Sequence, residues 1–424
     1  MSIRQLFLVS GLAVSSCWLP AASQSLSPVT SSISLPQALQ AAQNNLDVSL
    51  ARRALAAAQG DITAADRAPT PVLSTKAASI DLQNGIGDGN LFRSKRIDKA
   101  IGLDWTYERG NKRELRTQAA QSLAGAAQQD IQEITVQQQI TTAAAYFDVL
   151  AAQERIEQVS QIAGSAGQLA ATASRRVQAG DLAAQDAARI EIEAQRASTD
   201  LASAQFDRQR AALLLGQLTG FTGVGMLQVQ ADWPARQVLE ATPQETMYPS
   251  VETRADVRAA TQRVEAARAA LNVASAQKTR DITVGTSFDH FPGTSTRQLE
   301  FRAQMPLNGF LGSYNFQGEI ARAQAQLNQT EDALEKTRRL AAADYQKLQL
   351  DRQGSAARAL SYETTILPRA RKVAEMAELA YSKGAMSLTE LIDARRTLRT
   401  ILIEALNART DHAKAALAWQ LRQP

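Results

Sequence analysis

Between Pro71 and Pro234 the chain carries no proline, and from about Lys112 the sequence holds a helical pattern without a break until Gly180. A run of that kind is predicted to be a single helix from about 112 to 178, ~100 Å long at 1.5 Å per residue. No compact domain encloses such a helix, so the chain must be extended and mainly α-helical. Gly180 stands where a helix C-cap turns the chain, and a second helix from about 183 to 217 is predicted to run back along the first. Composition agrees with that reading: Gly and Pro number only 22 and 12 in 424 residues, and aromatics make up 5%. Hydrophobic residues at 45% still suffice to bury a core, which excludes disorder of the whole chain.

Shorter elements flank the long hairpin. A helix is predicted from Leu35 to Arg67, with Ser34 as N-cap, Pro36 in the first turn, and Pro69 and Pro71 as the stop. From Ile97 to Glu108 the chain alternates, with Ile97, Lys99, Ile101, Leu103, Trp105 and Tyr107 on one face and Asp98, Ala100, Gly102, Asp104, Thr106 and Glu108 on the other. A less regular alternation from Val72 to Leu82 precedes it. The two read as a β-hairpin, at about 70–108, whose loop is rich in Gly, Asn and Asp.

The same order then recurs. After a middle segment at 218–251 come a helix from about Glu252 to Lys278, strands at 281–291 and 296–307, a long helix from 317 to 382 and a last helix from 387 to 419. Pro368 is predicted to break or kink the long helix. Gly180 and Gly384 set an offset of 204 residues, and at that offset Asp186 pairs with Glu390. The chain is a duplicated unit, with repeats at 35–217 and 252–421.

The first residues, Met1-Ser-Ile-Arg followed by an apolar stretch from Leu6 to Val14 and then small residues, have the build of a secretory signal peptide at 1–22. The sequence has one cysteine, Cys17, which excludes an internal disulfide and any cysteine-built metal site. Val14-Ser-Ser-Cys17 resembles a lipobox, which would make Cys17 a lipid anchor; ordinary cleavage near Ala21-Ala22-Ser23, discarding Cys17, is the other reading. No apolar run long enough for a transmembrane helix follows. If the chain spans a bilayer, it does so by strands.

Four strands cannot close a membrane barrel, because the smallest need about eight. Three copies would supply twelve, with the apolar face of 97–108 toward lipid, the acids Asp98, Asp104 and Glu108 toward a watery lumen, and Trp105 and Tyr107 near an interface girdle. A soluble hairpin packed on the helices fits the same alternation.

The most specific stretch is Tyr381-Ser-Lys-Gly384-Ala-Met-Ser387-Leu-Thr-Glu390-Leu-Ile-Asp393-Ala-Arg, supported by Glu252-Thr-Arg254-Ala-Asp256-Val257 and Ile366-Leu-Pro368-Arg-Ala370. With the duplicated order of helix, hairpin, long helix and glycine turn, the chain from about Leu35 to Leu421 resembles the TolC-like outer-membrane factors of Gram-negative bacteria. The resemblance implies a homotrimer with a 12-stranded β-barrel in the outer membrane and a periplasmic α-helical tunnel. It also implies a passive duct that docks to a periplasmic adaptor and an inner-membrane transporter, and contact with outer-membrane lipid. Asp186, Glu390 and Asp393 fall on acidic positions near the family's closed tip, and Tyr381 on an aromatic of its latch. Gly180, Gly384 and Ser387 mark the hairpin tips where an adaptor would dock. Met386 departs from relatives with arginine two residues after the glycine, so the resemblance does not carry over the ionic part of the latch. The junction Glu108-Arg-Gly110-Asn-Lys112-Arg113 is similar to members serving heavy-metal efflux pumps of the resistance-nodulation-division type, such as cobalt-zinc-cadmium systems.

Simpler readings stand beside these. An acid soon after a helix start is more often a cap or dipole partner than a gate, and a tyrosine at a helix end, such as Tyr381, more often a packing anchor than a latch. The 46 basic and 42 acidic residues are spread along the chain and imply no nucleic-acid partner. His290, expected at a loop end, and His412 have no Cys or Met cluster near them, and no phosphate loop or nucleophile-base pair is present, so neither cofactor nor enzymatic activity is expected. Besides tripartite efflux, a type I secretion channel fits the pattern; so does a periplasmic coiled-coil scaffold that transports nothing.

Overall fold

The computed structural model describes residues 32–80, 82–83, 97–221, 227–231, 233–234, 250–291, 295–312 and 314–423. The signal peptide and Cys17 lie outside them, as does much of the middle segment. In chain order the elements are β1 (Ser32–Ile33), α1 (Leu35–Ala42), α2 (Leu46–Ala65), β2 (Val72–Ala78), β3 (Asp98–Tyr107), α3 (Lys112–Gln178) and α4 (Ala184–Thr219). They continue with β4 (Gln228–Val229), α5 (Ala255–Ala276), β5 (Ile282–Phe291), β6 (Ser295–Gln304), α6 (Gln317–Ser361), α7 (Leu367–Ser382) and α8 (Leu388–Arg422).

The helix expected at 35–67 is two helices. Asn45 stops the first and caps the second: its side chain accepts from the Asp47 amide and donates to the Leu218 carbonyl at 2.9 Å, and the chain bends around that anchor. Ser34 does cap α1, in a reciprocal box with Gln37. The helix of the second repeat starts later than its composition suggests, after a 3-10 turn at Val251–Thr253.

α3 runs its 67 residues unbroken. The second long helix is interrupted, but with a π-helical turn at Tyr362–Ile366 ahead of Pro368. The wider turn lies where proline cannot donate its helical hydrogen bond, and the chain continues from it as α7.

Both long hairpins turn in the same way. The Gly180 amide donates to the Val177 carbonyl and the Asp181 amide to Arg176, while Gly384 donates to Tyr381 and Ala385 to Ala380. This pair of bonds requires a left-handed residue, and φ is +82° at Gly180 and +73° at Gly384.

Two cores hold the helices. The larger gathers Tyr146, Phe147, Val149 and Leu150 of α3 with Ile33, Leu215, Leu227 and Val229. Phe147 stacks on Trp233 at 6.0 Å, and the Tyr146 hydroxyl donates to the Gln230 carbonyl at 2.8 Å. Here β1 pairs in parallel with β4, tying the start of the described chain to the middle segment. The smaller core packs Val257, Ala260 and Val264 of α5 on Leu327, Leu334 and Ala341 of α6. Near it Arg254, 8% exposed, joins the repeat boundary to the rest of the second repeat by bonds to Asp256 at 2.8 Å and Asp344 at 2.9 Å.

Candidate functional site: the sheet face and the hairpin tips

β2, β3, β5 and β6 form one antiparallel sheet in that order, so the two hairpins are joined through β3 and β5. Register places Leu103 opposite Leu73 and Thr286, and Thr286 opposite Phe301. One face therefore carries Leu73, Ile101, Leu103, Trp105, Tyr107, Val284, Phe288, Leu299 and Phe301, all of them exposed. The other carries Ser74, Asp104, Thr106, Thr283, Ser287, Asp289, Glu300 and Arg302. On that polar face Arg302 donates to Asp104 at 2.6 Å, and Ser287, within 3.1 Å of Asp289, is buried with it. A Cβ on Gly285 would lie 2.1 Å from Asp104 Oδ1, so glycine there is what lets the ion pair sit flat on the sheet.

Three strand expectations are corrected. β2 ends at Ala78, because Ser79 adopts φ +60° and leaves the extended region. Ile97 is not on the exposed apolar face; it lies before β3 and is buried, and Lys99 is half-buried. His290 is within β5 and not in a loop, opposite Lys99. At the other end of the sheet, Lys112 and the Arg109 amide both bond Asp281, at 2.8 and 2.9 Å, fastening α3 to β5.

The tips lie at the far end of the long helices from the sheet. Ser387 caps α8: its hydroxyl is 2.8 Å from the Glu390 carboxylate, its amide donates to that carboxylate at 2.9 Å, and the Glu390 amide donates back to the hydroxyl. These bonds, from the Ser387 amide first and its hydroxyl second, hold the Glu390 carboxyl below the usual carboxylate range. Glu390 is thus engaged as the acid of a capping box. Asp393, three residues on, is 65% exposed and 3.9 Å from Arg396. Asp186 lies in the first turn of α4 and is half-buried. Tyr381 is half-buried in the last turn of α7, beside Gly384, and Met386 follows it in the turn.

Further from the tips are contacts that no local pattern announced. Arg396 of α8 forks onto both carboxylate oxygens of Glu193 of α4, and Arg399 pairs with Asp200. The Arg396 hydrogen bond, ahead of its charge, holds the Glu193 carboxyl low. Glu193 and Asp200 are a heptad apart, the one signal available in the sequence, but nothing in it says which helix they face. His412 is buried in α8 with Nδ1 3.4 Å from Ser355 Oγ, and burial pushes its imidazole below the ordinary range. Among the described residues no group of three or more His, Cys, Asp or Glu is placed to hold a metal, and no helix is long and apolar enough to cross a membrane.

No family model matches the chain. The cobalt-zinc-cadmium resistance protein CzcC of Cupriavidus metallidurans is 27% identical over 363 residues, 84% of this chain and 82% of the relative. The CmeC outer membrane channel of Campylobacter jejuni superposes with a TM-score of 0.76 at 14% identity, over 92% of this chain and 85% of its own. The outer membrane protein VceC of Vibrio cholerae gives 0.74 at 18%, over 91% and 94%. The chain has the TolC-like outer-membrane channel fold. Within that fold the sheet and the tips are the two ends of one long molecule, and the tip residues Tyr381, Ser387, Glu390 and Asp393 gather around a single glycine turn.

Proposed function

We propose that this chain is the outer-membrane channel of a tripartite efflux system, a passive trimeric exit duct in the outer membrane of a Gram-negative bacterium. The observation that carries the reading is the sheet: four strands with one exposed apolar face and one polar face, mounted on a helix ~100 Å long. Such a sheet is stable only with its apolar face in lipid and its edges closed by copies of itself. Exposed apolar side chains along the helices, among them Leu46, Leu50, Phe206, Leu340 and Leu350, are the surface that neighbouring copies would cover.

The duct performs no catalytic step, and the free energy of transport comes from an inner-membrane pump of the resistance-nodulation-division type, reached through a periplasmic adaptor. The adaptor docks at the tips, around Gly180, Gly384 and Ser387. Asp186, Glu390 and Asp393, repeated three times around the axis, line the periplasmic mouth with acids and favour cations. Tyr381 packs against the neighbouring hairpin there. The likeness to a cobalt-zinc-cadmium resistance protein supports divalent metal cations as the cargo.

Cys17 carries a lipid in this reading. About fifteen residues separate it from Ser32, at most ~50 Å of extended chain. Ser32 pairs beside β4, which bonds α3 at Gln153, and Lys112 is ~50–60 Å from there along the helix. Incorporation of radiolabelled palmitate into wild type but not Cys17→Ser is the expected outcome; an unlabelled wild type removes the anchor.

The deciding experiment is the mass and conductance of the protein purified from outer membranes. A trimer with cation-preferring pores, whose preference falls in Glu390→Ala with Asp393→Ala, is expected. A monomer without conductance would refute the duct.

A further inference from the structure

We propose that the end of the sheet away from the helices carries a binding site for the phosphate groups of an outer-leaflet lipid, formed on the lipid-facing side by Lys99, His290 and Arg297. The site rests on the channel reading, which puts that face in the bilayer, and adds a specific lipid contact to it.

Strand register brings the three together. Lys99 of β3 stands opposite His290 of β5, one step along the same face from the pair Ile101 and Phe288. Between Asp289 and Phe291 the pairing of β5 with β6 slips, and Arg297, two residues before Leu299, falls beside His290. The strands β3, β5 and β6 are neighbours ~5 Å apart, so these bases form a row ~10 Å wide. By the same register the acids of this end, Asp98, Asp289 and Glu300, belong to the other face. Bases therefore face lipid where acids face the lumen.

Depth selects the ligand. From Lys99 to Tyr107 the strand covers ~27 Å, which at a tilt of ~40° is ~20 Å across the bilayer, just under the ~25 Å apolar band of such barrels. Tyr107 ends β3 on the side of α3, so Lys99 stands at the opposite edge of the band, where hydrocarbon gives way to headgroups. Lys99 is half-buried, and among the described residues its Nζ is shut off from water without a hydrogen-bond partner. A buried ammonium lacking an anion is costly, and a phosphate would supply one. Arg297 is exposed and brings a fork of donors that matches phosphate oxygens. The row adjoins the exposed apolar side chains of Ile101, Phe288 and Leu299, which acyl chains cover and a soluble anion does not.

The test titrates the full chain, as trimers in detergent, with bisphosphorylated lipid A or with the same lipid stripped of its phosphates, and counts bound lipid by native mass spectrometry. Wild type is compared with Lys99→Gln combined with Arg297→Gln, and with the charge-keeping pair Lys99→Arg and Arg297→Lys. Wild type is expected to prefer the bisphosphorylated lipid, the Gln pair to lose about fivefold in affinity for each charge removed, and the charge-keeping pair to stay near wild type. Affinity for the stripped lipid should be alike in all three. A Gln pair that binds the bisphosphorylated lipid like wild type overturns the site, as does an equal loss in the charge-keeping pair, which would make packing and not charge the cause. Displacement of the lipid by inorganic phosphate alone would overturn lipid as the ligand. Wild type without trimers or pores refutes the duct and the site with it; pore-forming trimers that ignore the phosphates refute the site alone.

Discussion

Phe301 and Glu300 are adjacent on β6, at one depth and on opposite faces, so placing arginine at each in turn separates lipid from lumen. Phe301 is 79% exposed in the isolated chain, in the row with Thr286 and Leu103 toward the middle of the sheet. If that face meets hydrocarbon, Phe301→Arg places a guanidinium where hydration is lost, at ~2–4 kcal/mol for each chain and ~6–12 kcal/mol for a barrel of three. Glu300 is 54% exposed and 3.9 Å from Arg302, a contact long enough and wet enough that losing it changes little. The assay is guanidinium unfolding after refolding into vesicles, followed by intrinsic tryptophan fluorescence, to which Trp105 on the apolar face contributes. Phe301→Arg is expected to unfold at markedly lower denaturant or fail to insert, while Glu300→Arg stays near wild type. Equal stability of the two variants would mean that the exposed apolar face is not in lipid, and the barrel would go with it.

Two further outcomes follow from single contacts. Removing Arg254 leaves Asp256 and Asp344 without their shared partner, although Arg422 remains 3.6 Å from Asp344, so Arg254→Ala is expected to lower stability by ~2–3 kcal/mol in thermal melts; Arg254→Lys should not restore it, having no fork to reach both acids. Ser387→Ala is expected to speed amide exchange across the first turn of α8, with Ser387→Asp retaining protection. Because the Glu390 carboxyl is held low, its contribution is complete above the usual carboxylate range and is lost only as pH falls through its depressed value, so the turn should be as protected at pH 5 as at pH 7.

The sequence was most legible where one interaction along the chain decides. Glycine at 180 and 384 is demanded by the left-handed turn itself, α3 follows from an uninterrupted helical pattern, and the two faces of β3 follow from the pleat. It was less legible where a distant partner decides. Asn45 breaks the first helix by reaching Leu218, and Ile97 is drawn into a buried position. At the tip, the residues alone favoured Glu390 as a cap and the family resemblance favoured it as a gate; the capping bonds are now explicit, while the pore around it belongs to the trimer.

By itself the sequence determined the periodicities, and with them the faces of the elements and the fact that the order occurs twice. Those properties are local: each rests on residues a few positions apart, whose relation the covalent chain already sets. Only the tertiary structure decided that β3 lies against β5, that Gly285 makes room for Asp104 and Arg302, and that Glu193 meets Arg396. Such pairings join residues about two hundred positions apart, and their energy depends on distance and burial that no local pattern encodes.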